Sequence, residues 1–139
     1  MRYFFCFVFT VIISFTFAFG QERWTLYDEI DGIQIFYRYA ECPDNHPPME
    51  YLLLQFINTT TDTLICQYKR ELWYDNKCVS CDDPYNEFRH QIILSPEEEF
   101  TGSCDSKFRG TKIFSKFLNF KSKQLTKFEI TDFNVIIKQ

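Results

Sequence analysis

Tyr51-Leu52-Leu53-Leu54-Gln55-Phe56-Ile57-Asn58, a four-residue polar connection Thr59-Thr60-Thr61-Asp62, and the run from Thr63 to Tyr74, TLICQYKRELWY, form the stretch on which the fold turns. Alternate residues of a strand point to the same face. On that basis Leu52, Leu54 and Phe56 share one face, and Leu64, Cys66, Tyr68 and Leu72 share another. Thr63, Gln67, Lys69 and Glu71 take the opposite side of the second run, with Ile65 as the exception. Both runs therefore read as strands with one buried side, and the short polar link predicts an antiparallel hairpin.

The same pattern continues outward in both directions. Ile33 to Tyr39 follows the turn signal Asp31-Gly32, and Pro47-Pro48 breaks the chain before Tyr51. Further strands are predicted at His90 to Leu94, around Phe100, at Lys112 to Leu118, and from Leu125 to Ile137, where the alternation changes phase near Thr131-Asp132 in the manner of a bulge. Lys112 to Lys121 also fits a helix through the spacing of Ile113, Phe114 and Phe117. About seven short strands with polar turns and no intervening helices predict an all-β chain, a single antiparallel two-sheet β-sandwich, immunoglobulin-like in outline. A small β-barrel is the alternative.

Residues 1–20, MRYFFCFVFTVIISFTFAFG, read as a secretory signal peptide: Arg2 opens it, Phe4 to Phe17 is nearly all apolar, and Ala18 and Gly20 stand at −3 and −1 before Gln21. Retention as an uncleaved anchor is the competing reading. Residues 21–139 then form a single domain, with no membrane span after signal cleavage, in a secreted or periplasmic location. Without Arg2, 14 basic residues face 19 acidic ones, a net charge of −5, and no basic block could neutralise a phosphate backbone. Nucleic acid is therefore not an expected partner.

Cys6 leaves with the signal, so five cysteines remain and one must be unpaired within the chain. Strand alternation selects Cys66, in the apolar row, as the buried free thiol. Cys42, Cys78, Cys81 and Cys104 lie in or beside loops and are the disulfide candidates expected in an oxidising compartment. Among three possible pairings, Cys78 with Cys81 closes a small ring of the redox-active kind, so the expectation is that Cys104 bridges to one member of this pair and Cys42 to the other.

Function is less legible than fold. A thiol–disulfide exchange site at Cys78-Val79-Ser80-Cys81 would need a helix start to lower the thiol pKa, whereas this motif follows a strand. Cys78, Cys81, Cys104 and His90 could together bind zinc, and Asp28, Glu29, Asp31 and Glu97 to Glu99 could bind calcium, but an oxidising compartment and the lack of a calcium-loop motif leave no metal and no cofactor expected. His46 and His90 stand without a nucleophile motif, so no catalytic residue is assigned. Asn58-Thr59-Thr60 is a glycosylation sequon, meaningful only in a eukaryotic secretory pathway. Trp24, Trp73, Tyr74 and Tyr85, near strand ends or loops, are candidates for a binding surface.

Across Glu50 to Asn58, Glu71 to Cys81 and Ile113 to Leu118, the chain resembles small exported β-sandwich proteins of Bacteroidetes, a family without an assigned activity. The resemblance implies a bacterial periplasmic or extracellular setting, in which the sequon has no meaning, and carries over no catalytic residue. The expected role is that of an exported, disulfide-stapled, non-enzymatic binding or structural module whose partner is a protein or glycan at the cell envelope.

Overall fold

The computed structural model describes residues 23–139; the signal-peptide reading, with Cys6, lies outside the described residues. The described residues are all-β, built from two antiparallel sheets packed face to face, with no closed barrel among them. Among the described residues nine strands run in order: β1 Thr25–Ile30, β2 Ile33–Cys42, β3 Met49–Asn58, β4 Leu64–Tyr74, β5 Lys77–Cys78, β6 Arg89–Leu94, β7 Glu99–Thr101, β8 Lys112–Phe117 and β9 Leu125–Ile137. A single 3₁₀ turn, Arg109–Thr111, precedes β8, and Lys112–Phe117 is strand rather than helix.

In the first sheet β1, β2 and β3 form a meander, and the far edge of β3 is shared by β8, opposite Met49 to Leu53, and β7, opposite Gln55 to Ile57. The second sheet centres on β4. Its one edge pairs with β9 from Leu64 to Tyr74, and its other edge with β6 and then β5. Two tight turns have the chemistry their geometry demands. Asp31 and Gly32 between β1 and β2, and Asp75 and Asn76 between β4 and β5, all have positive φ, the signature of the hairpin turn that Gly, Asn and Asp tolerate best.

The hairpin expected between Tyr51 and Tyr74 does not form. β3 and β4 belong to different sheets and face one another across the core, so the link Thr59 to Asp62 is a crossover. The face assignment survives because a hairpin and a crossover make the same demand on alternation. Leu52, Leu54 and Phe56 meet Leu64, Cys66, Tyr68 and Leu72 in one buried cluster, with the Phe56 and Tyr68 rings 4.9 Å apart. Burying each such side chain stabilises the fold by roughly 1.5–3 kcal/mol.

Asn58 explains why the link crosses. It is 0% exposed, and its Nδ2 donates to the carbonyls of Asp62, Leu94 and Ser95 at 2.7, 3.2 and 3.0 Å. Its Oδ1 accepts from the Thr60 amide and hydroxyl at 2.9 and 2.7 Å. One side chain thus ties the end of β3 to the start of β4 and to the β6–β7 loop, which is why the sequon asparagine is a structural residue whose amide nitrogen is already spent. Ile65, the outward exception, lies in register with Ile93 on one side and Ile136 on the other, a row of isoleucines across the outer face of the second sheet.

Candidate functional site

Tyr68, Arg70, Leu72 and Tyr74 succeed one another on the inward face of β4 toward its C-terminal end. Arg70 is absent from the apolar row read in the sequence, yet it stands two residues after Tyr68 and two before Leu72, so parity alone points a cation between the sheets. It is 6% exposed. The polar tips of this row clasp the opposite sheet. Tyr68 Oη donates to Gly110 O at 2.9 Å, Arg70 Nη1 to Arg109 O at 2.6 Å and Lys112 O at 3.3 Å, and Tyr74 Oη to Phe114 O at 2.6 Å.

The clasp does not saturate Arg70. Its Nε is buried without a hydrogen-bond partner, its Nη2 makes no hydrogen bond, and no carboxylate pairs with it among the described residues. Burial pulls the guanidinium below its ordinary value, and the like charge of Arg109 acts in the same direction. Burial also raises the Tyr74 hydroxyl to about 12, so this ring stays neutral and keeps its proton on Phe114 O.

Beside Arg70 lies a cavity of about 400 Å³ between β4 and β8. Arg70, Lys107, Arg109 and Lys112 line it, and among the described residues no Asp, Glu or His does. Tyr51, Tyr74 and Phe114 supply aromatic walls, and Ser106 a hydroxyl. Lys112 Nζ donates to the Cys104 carbonyl and lies 4.3 Å from the Tyr51 ring centre, a cation–π contact that holds it at the wall. In a chain with an acidic net charge, this is a local concentration of positive charge with no carboxylate lining it among the described residues.

A disulfide holds one wall in place. Cys42, at the end of β2, bonds to Cys104, in the segment between β7 and β8 that carries Ser106 and Lys107. The second disulfide joins Cys78 to Cys81. This pairing corrects the expectation that Cys104 and Cys42 would each take a member of the Cys-x-x-Cys pair. The bend that follows β5 brings the two CxxC sulfurs together locally, while the β2 end and the residue-104 loop are joined at the same end of the sandwich. Cys104 is thereby removed from any zinc set, and no group of three potential metal ligands occurs among the described residues.

The Cys78–Cys81 ring has no helix behind it. It starts at the end of β5 and encloses Val79 and Ser80, of which Ser80 is fully buried, its hydroxyl accepting from Leu72 N at 2.8 Å. Lys69 Nζ donates to Cys81 O at 3.2 Å and pairs with Glu71 at 3.3 Å. Cys66 is the free cysteine among the described residues, buried in the core, where desolvation pushes its thiol up to about 11 and makes it a poor nucleophile at neutral pH.

The four aromatic residues singled out in the sequence stand in different places. Trp24 lies beside β1 with the Arg38 guanidinium 5.0 Å from its ring, and Trp73 faces outward under Lys127 Nζ at 4.4 Å. Tyr85, 83% exposed, projects from the loop after Cys81. Only Tyr74 reaches the cavity. The acidic clusters bond to nearby backbone: Asp28 Oδ1 accepts from Glu29 N at 2.8 Å within β1, and Glu98 Oε2 from Ser95 N at 2.6 Å in the turn before β7. His90 packs against Tyr68 and Phe108, each 5.7 Å away, and its Nε2 is buried without a partner. His46 is exposed before β3. No helix among the described residues is long and apolar enough to cross a membrane. Comparison of the chain with models of protein families, with curated proteins and with solved structures finds no match.

Proposed function

We propose that this protein is an exported, disulfide-stapled β-sandwich, immunoglobulin-like in outline, that acts as a non-enzymatic binding module for a protein or glycan at the cell envelope, in keeping with its resemblance to small exported proteins of Bacteroidetes. The observation that carries the reading is the cavity beside Arg70, a preformed concavity whose wall is pinned by the Cys42–Cys104 bond. Disulfides suit an oxidising, extracytoplasmic compartment. Among the described residues no carboxylate or imidazole lines the cavity, whose charged lining is wholly cationic.

Envelope thiol–disulfide exchange through Cys78 and Cys81 is the second reading, and the formed bond with Cys81 at the surface is what favours it. Its weakness is the absence of helix-end amides to stabilise a thiolate. Two measurements separate the readings. Fractionation of the producing cells, with the mass of the recovered chain, is expected to find it outside the cytoplasm, starting at Gln21, and sedimenting with envelope fragments. A cytoplasmic chain with residues 1–20 intact sinks the exported reading, and turnover of a disulfide substrate abolished in Cys78→Ser replaces the binding reading with the exchange one.

A further inference from the structure

We propose that the cavity between β4 and β8 is a binding site for an acidic saccharide, whose carboxylate or sulfate is taken by Arg70, Lys107, Arg109 and Lys112 while its ring lies against Tyr51 and Tyr74. The assignment rests on the binding-module reading above and names its ligand class. Its foundation is Arg70. A cation 6% exposed and lacking any carboxylate partner is a costly thing to bury, because desolvation is offset only by two carbonyl dipoles on Nη1. A residue serving solely as a brace between sheets needs no charge for that purpose; Tyr68 and Tyr74 make the same clasp with neutral hydroxyls. Among the described residues Nη1 alone of the guanidinium nitrogens has hydrogen-bond partners, Nε being enclosed without one, so the group retains donor capacity, and a planar cation of that kind matches an oxyanion.

The surroundings narrow the ligand further. Lys107 and Arg109 are exposed at the rim and form no ion pair among the described residues, so their charge is available to an incoming anion. The remaining lining mixes aromatic rings with hydroxyls from Ser106, Tyr51 and Tyr74, which suits a polyhydroxylated ring better than an aliphatic chain. About 400 Å³ accommodates a ligand of one or two rings rather than a polymer in cross-section. The pair of carboxyl groups that most glycoside hydrolysis uses has no counterpart in the lining among the described residues, so the proposal is one of binding.

The test is titration of the purified protein, both disulfides formed, with a uronate-containing disaccharide, a sulfated disaccharide, their neutral counterpart and inorganic sulfate, followed by calorimetry and by amide chemical shifts. At least one acidic disaccharide is expected to bind, to shift amides of residues 104–114, and to exceed both the neutral sugar and inorganic sulfate about tenfold in affinity, with binding weakening as salt rises. Which acidic arm binds distinguishes carboxylate from sulfate. The double variant Lys107→Glu/Arg109→Glu changes exposed side chains and is expected to keep the parent's melting temperature while losing about tenfold or more in affinity. Equal binding of acidic and neutral sugars, no binding of either acidic sugar, sulfate binding as tightly as the sugar, or unchanged affinity in the double variant overturns the assignment. Envelope sedimentation of the same variant separates the two levels of inference. If parent and variant sediment alike, the cavity assignment falls and the envelope reading stands; if the parent does not sediment, the envelope reading falls by itself.

Discussion

The two ends of the sandwich bury polar side chains in opposite ways. At one end Asn58 is fully enclosed and both ends of its amide are matched by backbone and side-chain partners. At the other, Arg70 is nearly as buried, carries a full charge, and spends only Nη1. A saturated neutral group is structural: it closes a crossover and leaves nothing over. An unsaturated charged group beside a cavity lined by three further cations is a local compromise of stability, and such compromises concentrate where a ligand completes the set.

The difference between the ends can be broken by mutation. The largest effect is expected from removing the bond that props the basic end: Cys42→Ala/Cys104→Ala frees a loop spanning a sequence separation of 62, which the chain-entropy account values at about 4 kcal/mol. Denaturant unfolding measures the loss, and hydrogen exchange should show it concentrated in residues 102–112, with the Asn58 crossover still protected. Exchange rising equally at both ends would show that the ends are not independent. Next comes Asn58→Ala, which orphans the carbonyls of Asp62, Leu94 and Ser95 and is expected to cost roughly 3 kcal/mol in the same unfolding experiment.

Arg70→Met sharpens the contrast. Replacing an unpaired buried cation by an apolar side chain of similar length removes two hydrogen bonds and a desolvation penalty together, so the net loss is expected to be about 1 kcal/mol. A loss exceeding that of Asn58→Ala would mean that Arg70 is the stronger structural element and would remove the contrast between the ends. The smallest effect concerns pH. His90 is held down to about 4, first by burial and then by the nearby Arg70 charge, with Asp83 opposing. Its folded-state value lies below the ordinary 6.5, so between these values the unfolded chain binds the extra proton. Stability from this group is therefore complete above pH 6.5 and is lost as pH falls toward 4. His90→Phe is expected to flatten the stability profile in that window relative to the parent; an unchanged slope would assign the acid sensitivity to other groups.

Much of the fold is legible in residue order because alternation is a local property. Leu52, Leu54 and Phe56 had to share a face whatever lay opposite, Cys66 had to lie inside the apolar row, and the phase change near Thr131-Asp132 had to be absorbed by the backbone. It is: Asp132 has φ 49°, and the register with β4 slips between Gln67 opposite Asn134 and Lys69 opposite Thr131. The short strands β1 and β5 carry weaker patterns and are not among the strands expected from the sequence; the turns Asp31-Gly32 and Asp75-Asn76 attach them to longer neighbours.

Other features depend on distant parts of the chain. Alternation is identical for strands side by side and strands face to face, so whether Thr59 to Asp62 makes a hairpin or a crossover was settled by Asn58 finding partners in Leu94 and Ser95, more than thirty residues away. The partner of Cys104 was settled by which chain ends meet at one end of the sandwich, a property of sheet order. Arg70 shows both sides of this division. Its inward direction follows from its place between Tyr68 and Leu72, but its lack of a counter-ion and its closeness to Lys107, Arg109 and Lys112 exist only once β8 and the residue-104 loop pack across from β4. Periodicity acts over a few residues, whereas charge, cavity and covalent pairing are relations between segments that packing alone brings together.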